Sequence, residues 1–258
     1  SLGRNLVRGA ALRIASDLTG GTPLENIKIR CATTNDSLTQ AFLSLKQTSS
    51  LYTGTPVRLL EGCLMGGIFV AGNSAVRNFC LCRNISPSLS SLLGGVAGGI
   101  AQSIVMTPTT TISTRCNVDN SSAQTAATKI YNDEGFKGFY RSAISVSLRQ
   151  GTNWGSRTFF TEVARSAIPA RGLLKEITCG VFGGIASSWN HPIEVVRIRE
   201  QATTKKARRK NSQTNPFRMG RDIYNNEGLP ALYRGLAPRT LQAIWQTTFL
   251  VVGPTLLF

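Results

Sequence analysis

Two segments of the chain combine a proline, an acid and two bases at one common spacing. They read PLENIKIR at 23–30 and PIEVVRIR at 192–199, so each gives the pattern Pro-x-acid-x-x-base-x-base. An acid and a base three positions apart lie on the same side of a helix, where they can pair or face a shared partner. A third segment, PTTTISTR at 108–115, has Thr110 at the acid position and Ser113 at the first base position. The chemistry indicated is charge pairing and the attraction of anions.

The composition points to anionic partners and away from metal or hydrolytic chemistry. Lys and Arg total 29 against 13 Asp and Glu, a formal net charge of +16, which favours nucleic acid, acidic lipid headgroups or anionic metabolites as partners. The six cysteines include no CxxC pair and His191 is the only histidine, so zinc sites and histidine-based hydrolysis have little support. We therefore predict no metal, no cofactor and no enzymatic activity.

Self-similarity at a fixed period is the strongest signal in the chain. GVAGGIAQS at 95–103 matches GVFGGIASS at 180–188, and IYNDEGFKGFYRS at 130–142 matches IYNNEGLPALYRG at 223–235. The extra residues of the later copy fall in a basic, polar insertion at 203–215, which is typical of a loop. A fainter first copy has the same order of features. The predicted copies span 1–84, 85–170 and 171–258.

The distribution of charge predicts membrane helices, although the mean hydropathy of -0.02 is that of a soluble protein. Between Arg83 and Arg115 lie 31 residues without a charged side chain, and no charge follows Arg239. A spanning helix needs about 20 mostly apolar residues. Helices that line a water-filled cavity keep polar faces, which lowers the mean hydropathy without lowering the number of spans. Small residues at four-residue spacing, such as Gly95 and Gly99, permit close helix contacts. Three copies predict six membrane helices.

With these motifs the sequence resembles the mitochondrial carrier family, whose repeats carry the proline-acid-base segment at the end of each odd-numbered helix. RQGTNWGSR at 149–157, SSWNHPIEVVRIR at 187–199 and LYRGLAPRTLQAIWQTTFLVVG at 232–253 are most similar to the fungal-type citrate–oxoglutarate carriers. The resemblance implies an all-α membrane protein with six transmembrane helices in three pseudo-symmetric repeats, each of two spanning helices plus a short matrix-side helix. It also implies an antiporter of di- and tricarboxylates that works by alternating access in the mitochondrial inner membrane.

The resemblance further implies that the charged segments form a gate on the matrix side. In the family each acid pairs with the first base of the next repeat, so a complete gate needs both groups in every copy. Here the second copy has lost its acid and its first base. The expected facing pairs are Glu194 with Lys28, Glu25 with Ser113, and Thr110 with Arg197. Gln201 stands at the position of the family's glutamine brace, and helix kinks are expected at Pro23, Pro108 and Pro192.

Substrate contacts in the family lie seven residues after the glycine or serine that opens each even helix. Counting from Gly54, Ser142 and Gly235 gives Glu61, Arg149 and Gln242. Arg149 is expected to bind a substrate carboxylate, because a planar guanidinium can bind one bidentately and keeps its charge. Glu61 is expected to orient an arginine, to accept a proton with the substrate, or to belong to a structural ion pair.

Four further side chains bear on the choice of substrate. Met65 stands one turn after Glu61, where the carboxylate carriers of this group have a lysine, so citrate itself is in question. Arg58, Arg157 and Arg239 are the cations that could replace that lysine in binding substrate. Arg58 and Arg239 are expected near the helix mouths, a position better suited to guiding anions inward than to holding them.

The resemblance also implies a gate on the cytosolic side and a lipid site. Glu162 and Arg165 supply the gate on the fourth helix, whereas the second and sixth helices lack the acid, so this gate is expected to be weak. The steps from Tyr52 to Gly54 and from Tyr233 to Gly235 precede even helices, whose N-terminal amides suit a phosphate. In the family such positions bind cardiolipin. Tight turn chemistry is the alternative interpretation.

Two other functions stay open from the sequence. The degenerate second copy, the poor cytosolic gate and Met65 fit a carrier-derived structural subunit of a larger inner-membrane assembly that has lost transport. The run KKARRK at 205–210 and the high positive charge fit nucleic-acid binding. A solvated, lipid-facing loop is the simpler interpretation of that run, so nucleic acid is not the expected partner.

Overall fold

The computed structural model describes residues 11, 14–34, 36–168, 172–203 and 215–257, and in these residues the chain is helical, without strands. The basic run at 205–210 lies outside the described residues. We number the α-helices in chain order. They are α1 Thr22–Thr33, α2 Leu38–Gln47, α3 Thr55–Cys82, α4 Pro87–Asp119, α5 Ala123–Glu134, α6 Phe136–Phe139, α7 Ala143–Ala167, α8 Leu173–Ala186, α9 His191–Ala202, α10 Pro216–Glu227 and α11 Leu236–Leu257.

The long helices pack side by side in a closed order. α3 packs against α4, α4 against α7, α7 against α8, α8 against α11, and α11 against α1. A π-helical turn, Asp17–Gly21, directly precedes α1 and contacts α3, which closes the order. Glycines permit the close approach of α4 and α7, because a Cβ atom at Gly99 would lie 2.4 Å from the carbonyl oxygen of Gln150.

The three segments that carry the prolines converge. α1, α4 and α9 contact one another pairwise, although their sequences are far apart. Pro23 and Pro192 lie in the first turns of α1 and α9, where a missing N–H leaves no helical bond unmade. Irregular turns stand directly before both helices: the π-helical turn before α1 and a 3₁₀ turn, Ser187–Asn190, before α9. Pro108, in contrast, lies inside the α-helical span of α4.

Three short helices, α2, α5 and α10, repeat one local design. Each begins after a polar residue whose side chain accepts a backbone N–H of the first turn, which satisfies one of the unpaired donors at a helix start. Each buries two side chains four positions apart, on one face of the helix. The caps are Ser37, Ser122 and Asn215, and the buried pairs are Ala41 with Leu45, Ala126 with Ile130, and Met219 with Ile223.

Among the described residues, α3 and α4 are long and apolar enough to cross a membrane by length and composition. Large apolar side chains lie exposed along both helices; Val70 is 54% and Ile104 65% accessible. The glycine and hydroxyl face of α4 is instead buried against its neighbours. In a soluble helical bundle the apolar side chains face the interior and the polar ones face the solvent. Here the apolar side chains face outward around a polar interior, which fits a lipid environment.

Candidate functional site

Glu194 is the centre of a buried ion-pair cluster where α1, α7 and α9 meet. Its Oε1 atom lies 2.8 Å from Lys28 Nζ and 2.9 Å from Arg197 Nη2. Its Oε2 atom lies 2.5 Å from Arg149 Nε on α7. The Glu194 side chain is fully buried. Three bases around one carboxylate supply the compensation that a buried charge requires.

Glu25 extends the cluster toward α3 and α11. Its Oε2 atom lies 2.7 Å from Lys28 Nζ and accepts a hydrogen bond of 3.0 Å from Gln242 Nε2. Arg58 Nη1 lies 3.7 Å from the same oxygen, and Arg58 Nη2 lies 3.6 Å from Asp17 Oδ1. Lys28 therefore bridges Glu25 and Glu194, which ties α1 to α9. Within this set of seven ionised side chains, four are bases and three are acids.

The cluster contains the expected contact between Glu194 and Lys28 and adds two pairs that the family's pairing between repeats does not include. Each acid also pairs with the base three residues later in its own helix, Glu25 with Lys28 and Glu194 with Arg197. Ser113 does not face Glu25 through a hydrogen bond, since its buried Oγ atom has no hydrogen-bond partner among the described residues. The missing base is replaced by neighbours from other helices.

Gln201 fills the side of the cluster where the second copy lacks its charges. Its Oε1 atom accepts hydrogen bonds from Arg197 Nη1 at 3.2 Å and from Thr114 Oγ1 at 3.1 Å. Its Nε2 atom donates to Thr110 Oγ1 at 2.9 Å and to Ser142 Oγ at 3.0 Å. Thr110 is thus connected to Arg197 through Gln201. The neutral amide of Gln201 and two hydroxyls thus connect α4 and α9 here, and the hydroxyl of Ser142 adds the start of α7.

The structure brings two of the expected substrate residues directly to this cluster. Arg149 pairs with Glu194, and Gln242 bonds to Glu25. Glu61 is held at one side, where it accepts a hydrogen bond of 2.8 Å from Thr109 Oγ1. The roles expected of Glu61, to orient an arginine, to accept a proton with the substrate or to belong to a structural ion pair, stay predictions.

Met65 is connected to Arg149 by two buried glutamines that sequence reasoning did not select. The Met65 carbonyl oxygen accepts a hydrogen bond of 2.9 Å from Gln102 Nε2, and Gln102 Oε1 accepts one of 3.2 Å from Gln150 Nε2. Gln150 Oε1 in turn accepts from Arg149. The sequence signal that could have identified Gln102 and Gln150 is a polar amide side chain among apolar and hydroxyl-bearing neighbours.

Arg239 does not lie at an open helix mouth, as the sequence analysis expects, but is buried, with 6% of its surface accessible. It donates to Asn190 Oδ1 and, over 3.0 Å, to Asn153 Oδ1. Its Nη1 atom lies 3.4 Å from His191 Nδ1, while His191 Nε2 lies 2.8 Å from the Arg234 carbonyl oxygen. The two asparagines hold Arg239 inside because a buried guanidinium needs acceptors.

Arg58 also lies inside rather than at a mouth, because Asp17 and Glu25 both pair with it. Its side chain is only 12% accessible. Asp17 was not selected from the sequence, since it precedes the first proline-acid-base segment and belongs to no repeated motif. Both arginines therefore lie inside, among partners of the protein itself.

The family model described as mitochondrial carrier protein matches residues 85–172 and 169–253. The chain belongs to the mitochondrial carrier family. The citrate/oxoglutarate carrier protein of Saccharomyces cerevisiae is 30% identical over 279 aligned residues, which cover 96% of this carrier and 86% of that protein. The tricarboxylate transport protein of Bos taurus mitochondria is 31% identical over 168 residues, covering 59% and 52%. The family resemblance predicted from the motifs is confirmed.

The similarity also reaches proteins that carry another kind of substrate. The mitochondrial glycine transporter YMC1 of Saccharomyces cerevisiae is 32% identical over 170 residues, covering 60% of this carrier and 52% of that protein. Identity near 30% is thus shared with carriers of a neutral zwitterion and of tricarboxylates. The substrate of this carrier has to be argued from its own site.

At the other end of the carrier's α7, Glu162 and Arg165 pair within one helix, at 3.3 Å. Arg165 also lies 2.8 Å from Glu176 of α8, a partner that sequence reasoning missed. The Arg165 and Glu176 side chains are 45% and 48% accessible. Ion pairs this exposed contribute only about 0–1 kcal/mol, so the contact between α7 and α8 is weak at this end.

The two Tyr-x-Gly steps of the carrier form tight turns before α3 and α11. Gly54 and Gly235 have φ angles of 80° and 84°, which glycine adopts without strain. A Cβ atom at Gly235 would also lie 3.1 Å from the Lys28 carbonyl oxygen. Tyr52 and Tyr233 are 49% and 40% accessible. The positive φ angles of these turns explain why both positions are glycine. The turn geometry does not depend on the exposed tyrosine side chains.

Glu227 on the short helix α10 links the ends of two longer segments. It accepts hydrogen bonds from Arg199 Nη2 at 2.9 Å and from Arg234 Nη1 at 2.5 Å. The hydrogen bond from Arg199, with its charge and that of Arg234, lowers the pKa of Glu227 to about 2. Arg199 Nε also donates to the Ala32 carbonyl oxygen at 2.9 Å. Arg199 thus joins the ends of α1 and α9 to α10.

Proposed function

We propose that this chain exchanges di- or tricarboxylates of the citrate and 2-oxoglutarate kind across the mitochondrial inner membrane by alternating access. The membership of the carrier family and the similarity to the yeast citrate/oxoglutarate carrier support this proposal. The charge of the site supports it independently. Four bases against three acids leave the cluster with a surplus of positive charge, which favours an anion over a zwitterion.

The architecture that goes with this function is six spanning helices in three repeats, at 1–84, 85–170 and 171–258. The closed order of long helices and the three matched short helices, each capped and each burying two side chains, support that layout. The short helices would face the matrix. Two of the long helices meet the length and composition expected of a span on their own.

The observation that carries the proposal is the contact between Arg149 and Glu194. A carboxylate of the protein itself occupies the guanidinium expected to bind a carboxylate of the substrate. A substrate anion that binds Arg149 would compete with Glu194 and leave that residue with Lys28 and Arg197 alone. Substrate binding would therefore loosen the contact between α7 and α9, and so couple recognition to opening.

In this mechanism the ion-pair cluster is the closed matrix gate. Lys28 and Glu194 join the first and third repeats, and Gln201 joins the third repeat to the hydroxyls of the second. Glu162 and Arg165 would close the cytosolic side, where their exposure makes a weaker contact. The amides that follow Gly54 and Gly235, with Tyr52 and Tyr233 beside them, would bind the phosphates of cardiolipin.

The test is exchange of labelled citrate and 2-oxoglutarate by the protein in liposomes. We expect Arg149→Ala to abolish exchange and Arg149→Lys to restore little of it, because an ammonium cannot make the bidentate contact. Lys129→Ala is the matched control, since Lys129 is 55% accessible and pairs with Asp119 at the surface. Exchange by Arg149→Ala at the wild-type rate would exclude the proposed site.

The same preparation separates a transporter from a structural subunit. A ligand that binds only the folded state raises the melting temperature, Tm, by mass action. Citrate, 2-oxoglutarate, malate and phosphate would be compared at equal ionic strength. A folded protein that exchanges none of them, and whose Tm none of them raises, would instead have the properties of a carrier-derived subunit.

A further inference from the structure

A cavity of about 210 Å³ lies between α3, α4 and α7, apart from the ion-pair cluster. Three arginines line it, Arg77 from α3 and Arg157 with Arg165 from α7. Glu162 is the one acid among the described residues that line it. None of the cluster residues Glu25, Lys28, Arg149 and Glu194 reaches it. The cavity is therefore a separate place in the molecule with an excess of positive charge.

Arg77 is the residue of this cavity whose guanidinium has a buried donor without an acceptor among the described residues. No described acid pairs with it, and its Nε atom is buried without a hydrogen-bond partner. Leaving a charged donor buried and unpaired is costly, so such a group is normally compensated by a ligand or an acid. The sequence explains why Arg77 lacks an acidic partner on its own helix. In FVAGNSAVR at 69–77, Ser74 stands three residues before Arg77, where an acid would have paired with it along the helix.

The other walls of the cavity fit a small anion that has several oxygen acceptors. The Arg157 guanidinium lies over the Trp154 ring, 5.4 Å from its centroid, which orients a charged plane along the cavity wall. Ser91 adds a hydroxyl from α4. Pockets for drug-sized ligands are about 300–1,000 Å³, so this cavity is too small for a nucleotide. A compact molecule with carboxylate or phosphate oxygens fits its size and charge.

We propose that this cavity is a second anion-binding site, at which Arg77 holds a carboxylate of the substrate before the substrate reaches Arg149. The inference rests on the proposed function for the identity of the anion. Its chemistry, an oxyanion bound by a guanidinium, is shared by inorganic phosphate and by lipid phosphates. The site raises the local concentration of substrate at the end of α7 that carries Glu162 and Arg165, away from the cluster. It therefore acts on affinity rather than on the movement of the helices.

Kinetics of citrate exchange in liposomes test the site through Arg77→Gln. We expect the KM to rise about tenfold, as for the loss of one charged hydrogen bond, with kcat changed less than twofold. Arg83→Gln is the matched control, because Arg83 ends the same helix and stacks on Phe79, outside the cavity. Arg77→Lys keeps the charge and should show an intermediate KM. Equal KM values for Arg77→Gln and Arg83→Gln would overturn the proposal.

A binding measurement separates this inference from the transport function and identifies the anion. The rise in Tm would be recorded with citrate, with inorganic phosphate and with cardiolipin-containing micelles, for the wild type and for both glutamine variants. A rise with citrate that falls in Arg77→Gln alone supports the site even if no exchange is found. A rise only with phosphate or cardiolipin, or one that Arg77→Gln leaves unchanged, refutes a carboxylate site at Arg77.

Discussion

Replacing Glu194 with glutamine is the sharpest test of the ion-pair cluster. The substitution keeps the size of the side chain and removes the one charge that contacts Lys28, Arg197 and Arg149. The surplus of bases over acids in the cluster would double, from one to two, in a site from which water is excluded. Removing one partner of a buried ion pair costs about 3–5 kcal/mol. Because each kcal/mol lowers Tm by about 2–4 °C in a domain of this size, we expect a decrease of roughly 6–20 °C.

The assay is thermal unfolding in detergent. A thiol-specific dye reports it, because the dye reacts with buried cysteines such as Cys116 as they become exposed. Glu162→Gln is the matched control, since that acid forms an accessible pair worth about 0–1 kcal/mol. The double variant Glu194→Gln with Arg149→Gln removes an acid and a base together. It should be more stable than Glu194→Gln alone. If Glu194→Gln and Glu162→Gln melt at the same temperature, or the second substitution brings no recovery, the cluster does not hold the closed state as we argue.

Two further predictions concern the surface and the helix packing. Arg199 lowers the pKa of Glu227 to about 2, below its ordinary value of 4.5. This carboxylate therefore stabilises the fold above pH 4.5, and its contribution is lost as the pH falls toward 2. The Tm values of the wild type and of Glu227→Gln should differ at pH 7 and converge on acidification, and a constant difference would contradict the assignment. Gly99→Ala would press a Cβ atom against the α7 backbone and should unfold the protein well below the wild-type Tm, whereas Gly67→Ala, which meets no atom within 4 Å, should not.

The family and the positions of the charged segments could be predicted because both depend on spacing within one repeat. The prolines, the acids and the bases recur at the period of the repeat, so the segments had to lie at equivalent places. The contact between Glu194 and Lys28 follows from that equivalence together with the family's pairing rule. A rule of this kind needs only the order of the repeats around the bundle, and the order is given by the chain.

The partners that were missed come from helix crossings that no spacing reveals. Asn153 and Asn190 bind Arg239 from two other helices, and nothing in their own segments marks them. Glu176 of α8 pairs with Arg165 of α7, outside any repeated motif. Whether an arginine ends inside or at a mouth depends on which acceptors the neighbouring helices offer within about 3 Å, because burial without them is too costly. The sequence shows that Arg239 needs hydrogen-bond acceptors if it is buried. Only the packing of the helices shows which residues supply them.

The same packing explains how a degenerate second repeat can still close the site. Toward α1 and α9 the cluster is held by ion pairs of Glu194, whereas toward α4 Gln201 holds hydroxyl groups such as Thr110. A neutral hydrogen bond contributes about 0.5–1.5 kcal/mol. Among the described residues, separating α4 from α9 breaks these bonds and the one from Arg115 Nη2 to the Thr203 carbonyl oxygen at 2.6 Å, but no ion pair. Parting α1 from α9, in contrast, separates Lys28 from Glu194. In the proposed mechanism, the loss of one acid and one base makes movement at α4 the less costly step of opening. The pairs of Glu194 with Lys28 and with Arg149 keep the electrostatic part of the closed state.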